Sequence, residues 1–321
     1  MTHRQPVPHR QPVPHRQPVP HRQPVILSFD VEEHDRIEAN AAHPFDPSAR
    51  AHYGQRMDAT TRQLLDELAA ADVRATFFIV GEIARTHPEL VRAIHAAGHE
   101  VAAHGYDHRR VHRFTPESFR QDIRRCCDEL AALTGEPILG YRAPTFSIVR
   151  QTAWAIDVLA EEGICYDSSI FPVRHDRYGV PQAPRCPFVV HGERHQLIEL
   201  PPATWRILGI NLPVGGGGYF RLFPLPVLQQ GIRQLQRRYR CPAMLYFHPW
   251  EFDPQQRKLP LKRVSRWRTY VGIDRSLTKL RKLLRWRRFA RAIDVVSSLD
   301  ARALPTFALT HARPSVREAA A

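Results

Sequence analysis

A parallel β-sheet wrapped by helices, closed or partly closed into a β/α barrel, is the architecture this sequence predicts. Two observations carry it. From Val25 onward short apolar runs alternate with amphipathic segments, and polar residues of complementary chemistry fall directly after those runs. Strand–helix alternation puts parallel strands under helical cover, and this many units favours a barrel over an open sheet. Barrel chemistry gathers at the C-terminal ends of strands, so the residues after each run are the candidates.

The elements follow in order. Val25-Ile-Leu-Ser-Phe29 reads as a buried strand, and Thr60 to Ala70 carries Leu64, Leu65 and Leu68 at helical spacing. Ala75-Thr-Phe-Phe-Ile-Val80 is a strand rich in β-formers. Pro88 to Ala97 is a helix with proline in its first turn and Gly98 at its end. His99 to His104 is the next strand. Thr115 caps a long helix that runs to Leu133 and is stopped by Gly135. Ile138 to Tyr141 reads as a strand, Thr152 to Glu162 as a helix, Ile164 to Tyr166 as a strand, and Met244 onward as an apolar strand ending at His248.

Of 321 residues, 43 % are apolar and 9 % aromatic, which excludes a wholly disordered chain and allows one large domain or two ordinary ones. Five cysteines, odd in number and without C-x-x-C spacing, argue against a disulfide framework or thiolate metal site and fit a reducing compartment. No apolar stretch approaches a membrane span and the start resembles no signal peptide, so a cytoplasmic protein is expected. Residues 1–24 repeat His-Arg-Gln-Pro-Val-Pro, whose prolines predict a disordered or polyproline-like tail. A barrel over 25–253, a basic helical region over 254–296 and a tail over 297–321 complete the expected organisation.

The formal charge is +14, and 14 Lys/Arg against the single acid Asp274 between Arg257 and Arg291 nearly account for it. Leu277, Leu280 and Leu284 recur there at helical spacing among basic residues. Either the stripe packs on the barrel, or the segment touches an anionic membrane surface, possible beside the inner membrane face. Arg266-Trp267-Arg268 and Arg285-Trp286-Arg287 interleave charge with aromatics, but no recognised nucleic-acid fold accompanies them, so nucleic acid is not an expected partner.

The candidate chemistry sits where a barrel needs it. The first strand ends in Phe29-Asp30-Val31-Glu32, and alternation turns Asp30 and Glu32 to one side, which suits a shared metal or a base beside a ligand. His104-Gly-Tyr-Asp-His108 follows another strand; histidines at i and i+4 share a face if the segment turns helically, and with one carboxylate they make a hydrolytic metal site. Arg142 can fork onto Asp30, and the backbone N–H of Thr145, after Pro144, is free to donate to an oxyanion. His248, with Trp250 beside it, suits a general acid in a partly dry pocket. The run Gly215 to Gly218 reads either as a flexible flap or as a plain loop.

Ser28-Phe-Asp-Val-Glu-Glu33, His104-Gly-Tyr-Asp-His108, Arg142-Ala-Pro144 and Leu245-Tyr-Phe-His248 resemble, in order, the motifs of NodB-type polysaccharide deacetylases (carbohydrate esterase family 4). Gly215 to Arg221, His248 to Asp253 and Trp267 to Arg275 resemble the branch associated with exosortase and exopolysaccharide loci, which carries an extra C-terminal region. The resemblance implies a distorted (β/α)7 barrel, a divalent ion of zinc type with Co2+ as the alternative, and removal of N-acetyl groups from N-acetylhexosamine units of a polysaccharide or oligosaccharide. By position it implies Asp30 as general base, His104 and His108 as metal ligands, Arg142 as the group steadying Asp30, and His248 as general acid. Two departures stand out. The usual second Asp of the first motif is Val31, which leaves Glu32 to supply the carboxylate ligand. The fourth motif is not evident, which leaves Asp167 or Glu199 to orient His248. Rival readings are a cyclic-imide or purine-type amidohydrolase on the same fold, favoured by a small closed pocket, and a non-catalytic glycan-binding protein.

Overall fold

Seven parallel strands frame the molecule. The computed structural model describes residues 23–309 except 42–45 and 176. The expected N-terminal tail, but for its last two residues, and the end of the chain from 310 lie outside the described residues. The strands are β1 (Val25–Val31), β2 (Thr76–Ile79), β3 (Glu100–Ala103), β4 (Gly140–Tyr141), β5 (Tyr166–Asp167), β6 (Phe188–His191), β7 (Gln196–Glu199), β8 (Thr204–Ile207), β9 (Ile210–Pro213), β10 (Ala243–Phe247), β11 (Phe289–Ala290) and β12 (Thr306–Ala308). The helices are α1 (Pro47–Ala70), α2 (Gly81–Thr86), α3 (Pro88–Ala96), α4 (Pro116–Thr134), α5 (Trp154–Glu161), α6 (Gly217–Leu222), α7 (Leu225–Arg238), α8 (Arg263–Tyr270), α9 (Ile273–Leu284) and α10 (Ala292–Ser298).

The order β10-β1-β2-β3-β4-β5-β7 is parallel at every step. Just past β7, Pro202 bridges in parallel to Met244 of β10, which closes the ring through an irregular seam. This is the distorted seven-stranded β/α barrel. Outside it, β6 runs antiparallel to β7, β12 pairs with β6, and β8 and β9 form a separate hairpin.

Period-two alternation divides each strand between two layers. In β1, Val25, Leu27, Phe29 and Val31 pack in the large cluster shared with the helices, while Ile26 joins Phe78, Ala102, Tyr166 and Met244 in a second cluster. The alternate row of β1 therefore reads Ile26, Ser28, Asp30, apolar first and polar toward the strand's end. All seven β1 residues are buried, so a slip by one residue would drive Asp30 into the apolar layer.

Most expected elements appear, with shifted ends. Thr115 caps α4 reciprocally with Ser118, and Gly135 stops it in the left-handed conformation at φ 73°. The helix expected from Thr60 starts at Pro47, because Asp46 accepts hydrogen bonds from the Ser48 and Ala49 amides and proline occupies the first turn.

Two expectations need correction, and one open alternative is decided. The C-terminal region is no appendage, since β11 pairs with β1, and Ala292 and Val295 of α10 pack with Ile26 and Phe78. The tail expected from 297 likewise contains β12. The leucine stripe of α9 faces inward, with Leu280, Leu283 and Leu284 in the large cluster and Leu277 against it, and the Lys279 ammonium donates to the Phe220 and Phe223 carbonyls. The membrane-surface reading thereby loses its apolar face; no helix among the described residues is long and apolar enough to cross a membrane. Finally, Cys186 and Cys241 form a disulfide across 55 residues, where none was expected. Local spacing could not show this, because the fold brings the lead-in to β6 beside the lead-in to β10. The pairing removes the cysteine argument for a reducing compartment.

Because Leu280 is a core residue, Leu280→Ala should lower unfolding free energy by about 3 kcal/mol in urea titrations. A change near zero would mean that α9 does not pack as described.

Candidate active site

Polar residues at the strand ends converge on a cavity of about 330 Å³ whose walls include Asp30, Glu32, His104, His108, Thr145, His248 and Trp250. Asp30 arrives by the register of β1, and the others from the segments that follow the strands.

Arg142, directly after β4, is fully buried. Its Nη1 donates to Asp30 Oδ1 at 2.5 Å and Ser28 Oγ at 2.9 Å, its Nη2 to Ser168 Oγ at 2.9 Å, and its Nε to the Ser168 carbonyl at 3.2 Å. Its guanidinium lies over the Phe78 ring at 4.1 Å. Four of its five N–H groups find acceptors and a ring covers its plane, which makes its burial tolerable. Asp30 is thereby held with Oδ2 toward His248, 3.9 Å from Nε2.

His104 Nδ1 lies 2.7 Å from the Arg142 carbonyl, which can only accept, so Nδ1 carries the proton and Nε2 keeps its lone pair. Burial pushes His104 down to about 4 against the opposing charges of Asp30 and Glu32, leaving it neutral at pH 7. His108 reaches the same point through an irregular loop rather than the helical turn the i, i+4 spacing suggested; Gly105 and His108 have φ of 72° and 65°. The two rings sit 5.0 Å apart. Glu32, just past β1, brings Oε2 to 2.7 Å from His108 Nε2. One ligand atom each from Glu32, His104 and His108 lies within 4.8 Å of the others. Glu32 Oε2 is buried and has no hydrogen bond of acceptable geometry among the described residues. Burial alone would raise this carboxyl, yet His108, His248 and His104 hold it well below the usual carboxylate range. A buried carboxylate oxygen lacking a donor, beside a histidine whose tautomer leaves a lone pair bare, is a donor set that fits a divalent cation.

Opposite stands His248, at the end of β10. Its Nδ1 donates to Glu251 Oε1 at 2.7 Å, and Trp250 stacks on its ring at 5.2 Å while directing Nε1–H to Glu32 Oε1 at 3.4 Å. Burial would depress the imidazole, but the Glu251 hydrogen bond and the charges of Glu32, Glu251 and Asp30 lift it to about 9. Glu251 is itself held: Arg221 Nε donates to Oε2 at 3.3 Å, and a Cβ at Gly217 would overlap the carboxylate. The glycine run is therefore neither flap nor plain loop. Gly216 gives room to the Tyr246 hydroxyl and Gly217 to Glu251, where α6 begins.

Glu251 takes the place given to Asp167 or Glu199. Those two are buried elsewhere: Asp167 accepts from Ser169 Oγ at 2.5 Å, and Glu199 from the Ile170 amide at 3.0 Å. Burial raises both, and their contact raises Glu199 further while holding Asp167 back, so the proton of the pair sits on Glu199 and ties β5 to β7. Glu251 had a readable signal, since it lies three residues past His248 behind a proline that opens a 3-10 turn. Arg221 and Gly217 had none, because their roles depend on tertiary approach. Thr145, with φ of 57°, lines the cavity, and its backbone N–H makes no hydrogen bond among the described residues.

Comparison with known proteins gives this arrangement its context. Residues 22–162 match the family "Polysaccharide deacetylase". The chain carries a polysaccharide deacetylase domain. Residues 168–297 match "Domain of unknown function (DUF3473)". The chain is 33 % identical over 100 residues to the chitooligosaccharide deacetylase of Rhizobium leguminosarum bv. trifolii, covering 31 % of this chain and 44 % of that protein. It is 32 % identical over 98 residues to the peptidoglycan-N-acetylglucosamine deacetylase of Bacillus cereus, covering 30 % and 36 %. It is also 32 % identical over 108 residues to the peptidoglycan deacetylase-like protein FGM2 of Gibberella zeae, covering 34 % and 31 %. The chain thus spans less than half the length of these curated relatives. Among solved structures, a Mycobacterium smegmatis protein assigned to the polysaccharide deacetylases superposes with a TM-score of 0.61 at 21 % identity, over 95 % of this chain and 99 % of that one. PuuE allantoinase superposes with a TM-score of 0.59 at 18 % identity, over 90 % and 93 %. At such identities the likeness is one of fold.

Glu251→Gln removes the charge that favours the His248 imidazolium, so its pKa should fall from about 9 toward the ordinary imidazole value near ~6.5 in an NMR titration. A histidine whose folded pKa is raised adds stability that is complete below about 6.5 and lost as pH climbs through about 9. The metal-free wild type should lose stability over that window and the variant should lose less. An unshifted His248 in Glu251→Gln would refute the Glu251 contact as its cause.

Proposed function

We propose that this protein is a metal-dependent hydrolase that removes N-acetyl groups from N-acetylhexosamine units of a polysaccharide, an exopolysaccharide or its precursor. One observation carries the reading: a fixed carboxylate, Asp30, and a doubly anchored imidazole, His248, face each other across the Glu32–His104–His108 cluster.

Glu32, His104 and His108 would hold the cation, zinc by preference, and its chemistry when bound is to polarise the acetyl carbonyl and acidify water. Asp30 Oδ2 takes the proton of the attacking water, since Oδ1 is engaged by Arg142. The Thr145 N–H is available to the oxyanion that forms at the acetyl carbon. His248 enters protonated at neutral pH, keeps its Nδ1–H on Glu251, and gives the Nε2 proton to the departing amine. The carbon–nitrogen bond breaks, and acetate and a free amino sugar leave.

The cavity does not end at the reacting centre. An adjoining hollow that shares Arg268 with it includes the exposed Trp267 in its lining, which supports a polymer over a small cyclic amide.

The test is acetate release from N-acetylglucosamine oligomers by protein stripped of metal and reloaded with zinc or cobalt. Release should require the metal, and Asp30→Asn should lower kcat by about 10² or more. Full activity in Asp30→Asn would overturn the assignment of the base, and absence of both release and metal binding would favour a binding protein.

A further inference from the structure

Beside the catalytic cavity, and sharing His175, Gly218 and Arg268 with it, lies a second hollow of about 690 Å³. Its lining includes Arg174, Tyr219 and Trp267 and holds no carboxylate among the described residues. The side chains of Arg174 and Arg268 form no ion pair among the described residues. The Trp267 indole is 56 % exposed, and no ring or cation packs on it among the described residues. All six residues lie within 168–297, outside the stretch that matches the deacetylase family. The hollow is thus an addition to the deacetylase site made by the second region.

Its chemistry is asymmetric. The catalytic cavity sets Asp30, Glu32, Glu38 and Glu251 among its arginines and rings, whereas the adjoining hollow presents two guanidiniums and two aromatic rings with no carboxylate among the described residues. Guanidinium keeps its charge at any working pH and forks onto oxyanions. An exposed indole face beside it offers a flat apolar platform of the sort that a sugar ring covers. Neither feature is needed to hold the barrel together, because Arg174, Trp267 and Arg268 are all exposed.

We propose that this hollow is the subsite for the sugar next to the reacting N-acetylhexosamine, and that this sugar is acidic, its oxyanion held by Arg174 and Arg268 and its ring laid on Trp267. The inference rests on the deacetylase reading and names the class of glycan that reading leaves open, a polymer alternating N-acetylhexosamine with a carboxylated or sulfated sugar.

The test is calorimetric binding to the full-length, zinc-loaded Asp30→Asn protein, which prevents turnover, alongside acetate release by the wild type. Three oligosaccharides of equal length serve as probes: neutral N-acetylglucosamine, N-acetylglucosamine alternating with glucuronate, and a sulfated counterpart. An acidic probe should bind about tenfold tighter than the neutral one at low salt, and the ratio should approach one near 1 M salt. Adding Arg174→Gln with Arg268→Gln should collapse the same ratio, and Trp267→Ala should weaken all three probes together. The better acidic probe separates a carboxylate from a sulfate as the preferred group. Equal binding of neutral and acidic probes, or a ratio that survives the double substitution, overturns the proposal. Acidic preference without acetate release from any probe would leave the subsite standing and remove the deacetylase reading; acetate release without preference would do the reverse.

Discussion

A guanidinium sealed from water organises the catalytic end of this barrel. Arg142 reaches from β4 to β1 and β5, and its burial is tolerated because Asp30 supplies the countercharge, Ser28 and Ser168 accept three further N–H groups, and Phe78 covers its face. Two consequences follow from this one residue. Its side chain fixes which oxygen of Asp30 faces His248, and its carbonyl fixes the tautomer of His104. The proposed base and one proposed cation ligand are therefore set by the same short strand, so an error in β4 would disturb both.

The second constraint is strand register. With Val31 committed to the apolar layer, position 31 is closed to a carboxylate, and the inward row Ser28, Asp30 continues to Glu32 beyond the strand. Glutamate's longer arm suits a residue that must reach back to His108. The acid side of the site is built differently. His248, Glu251 and Arg221 all come from the region beyond the deacetylase match, and Gly217 is small because Glu251 must lie against it. The first region contributes Asp30, Glu32, His104, His108 and Arg142, and the second completes them. A deacetylase domain cut at residue 162 would lack the imidazole, its carboxylate and the seam that closes the barrel.

How much of this the sequence showed depends on the range of the interaction. Alternation of apolar runs and helical segments was enough for the barrel, because strand period and helix capping are local. The residues at strand ends were readable for the same reason, and the structure brings Asp30, Glu32, His104, His108 and His248 into one cavity with Arg142 buried against Asp30. What stayed hidden was tertiary. The Asp167–Glu199 pair looked available for orienting His248, but burial drives those carboxyls onto each other. The Cys186–Cys241 bond joins segments far apart in the chain, and the start of α1 at Pro47 lies in a stretch whose apolar period is weak. The basic segment left two readings open, a stripe packed on the barrel and a membrane-facing helix. Its leucines pack inward even though its charges face out, and charge alone does not distinguish a docking helix from a packed one.

The most direct measurement is anomalous diffraction from crystals of the zinc-loaded protein. The account predicts a single zinc peak bonded to Glu32, His104 and His108, with ligand distances near ~2.0–2.2 Å. A peak without Glu32 among its ligands, or zinc bound only elsewhere, would contradict the claim that the carboxylate ligand has moved along β1 from position 31 to position 32.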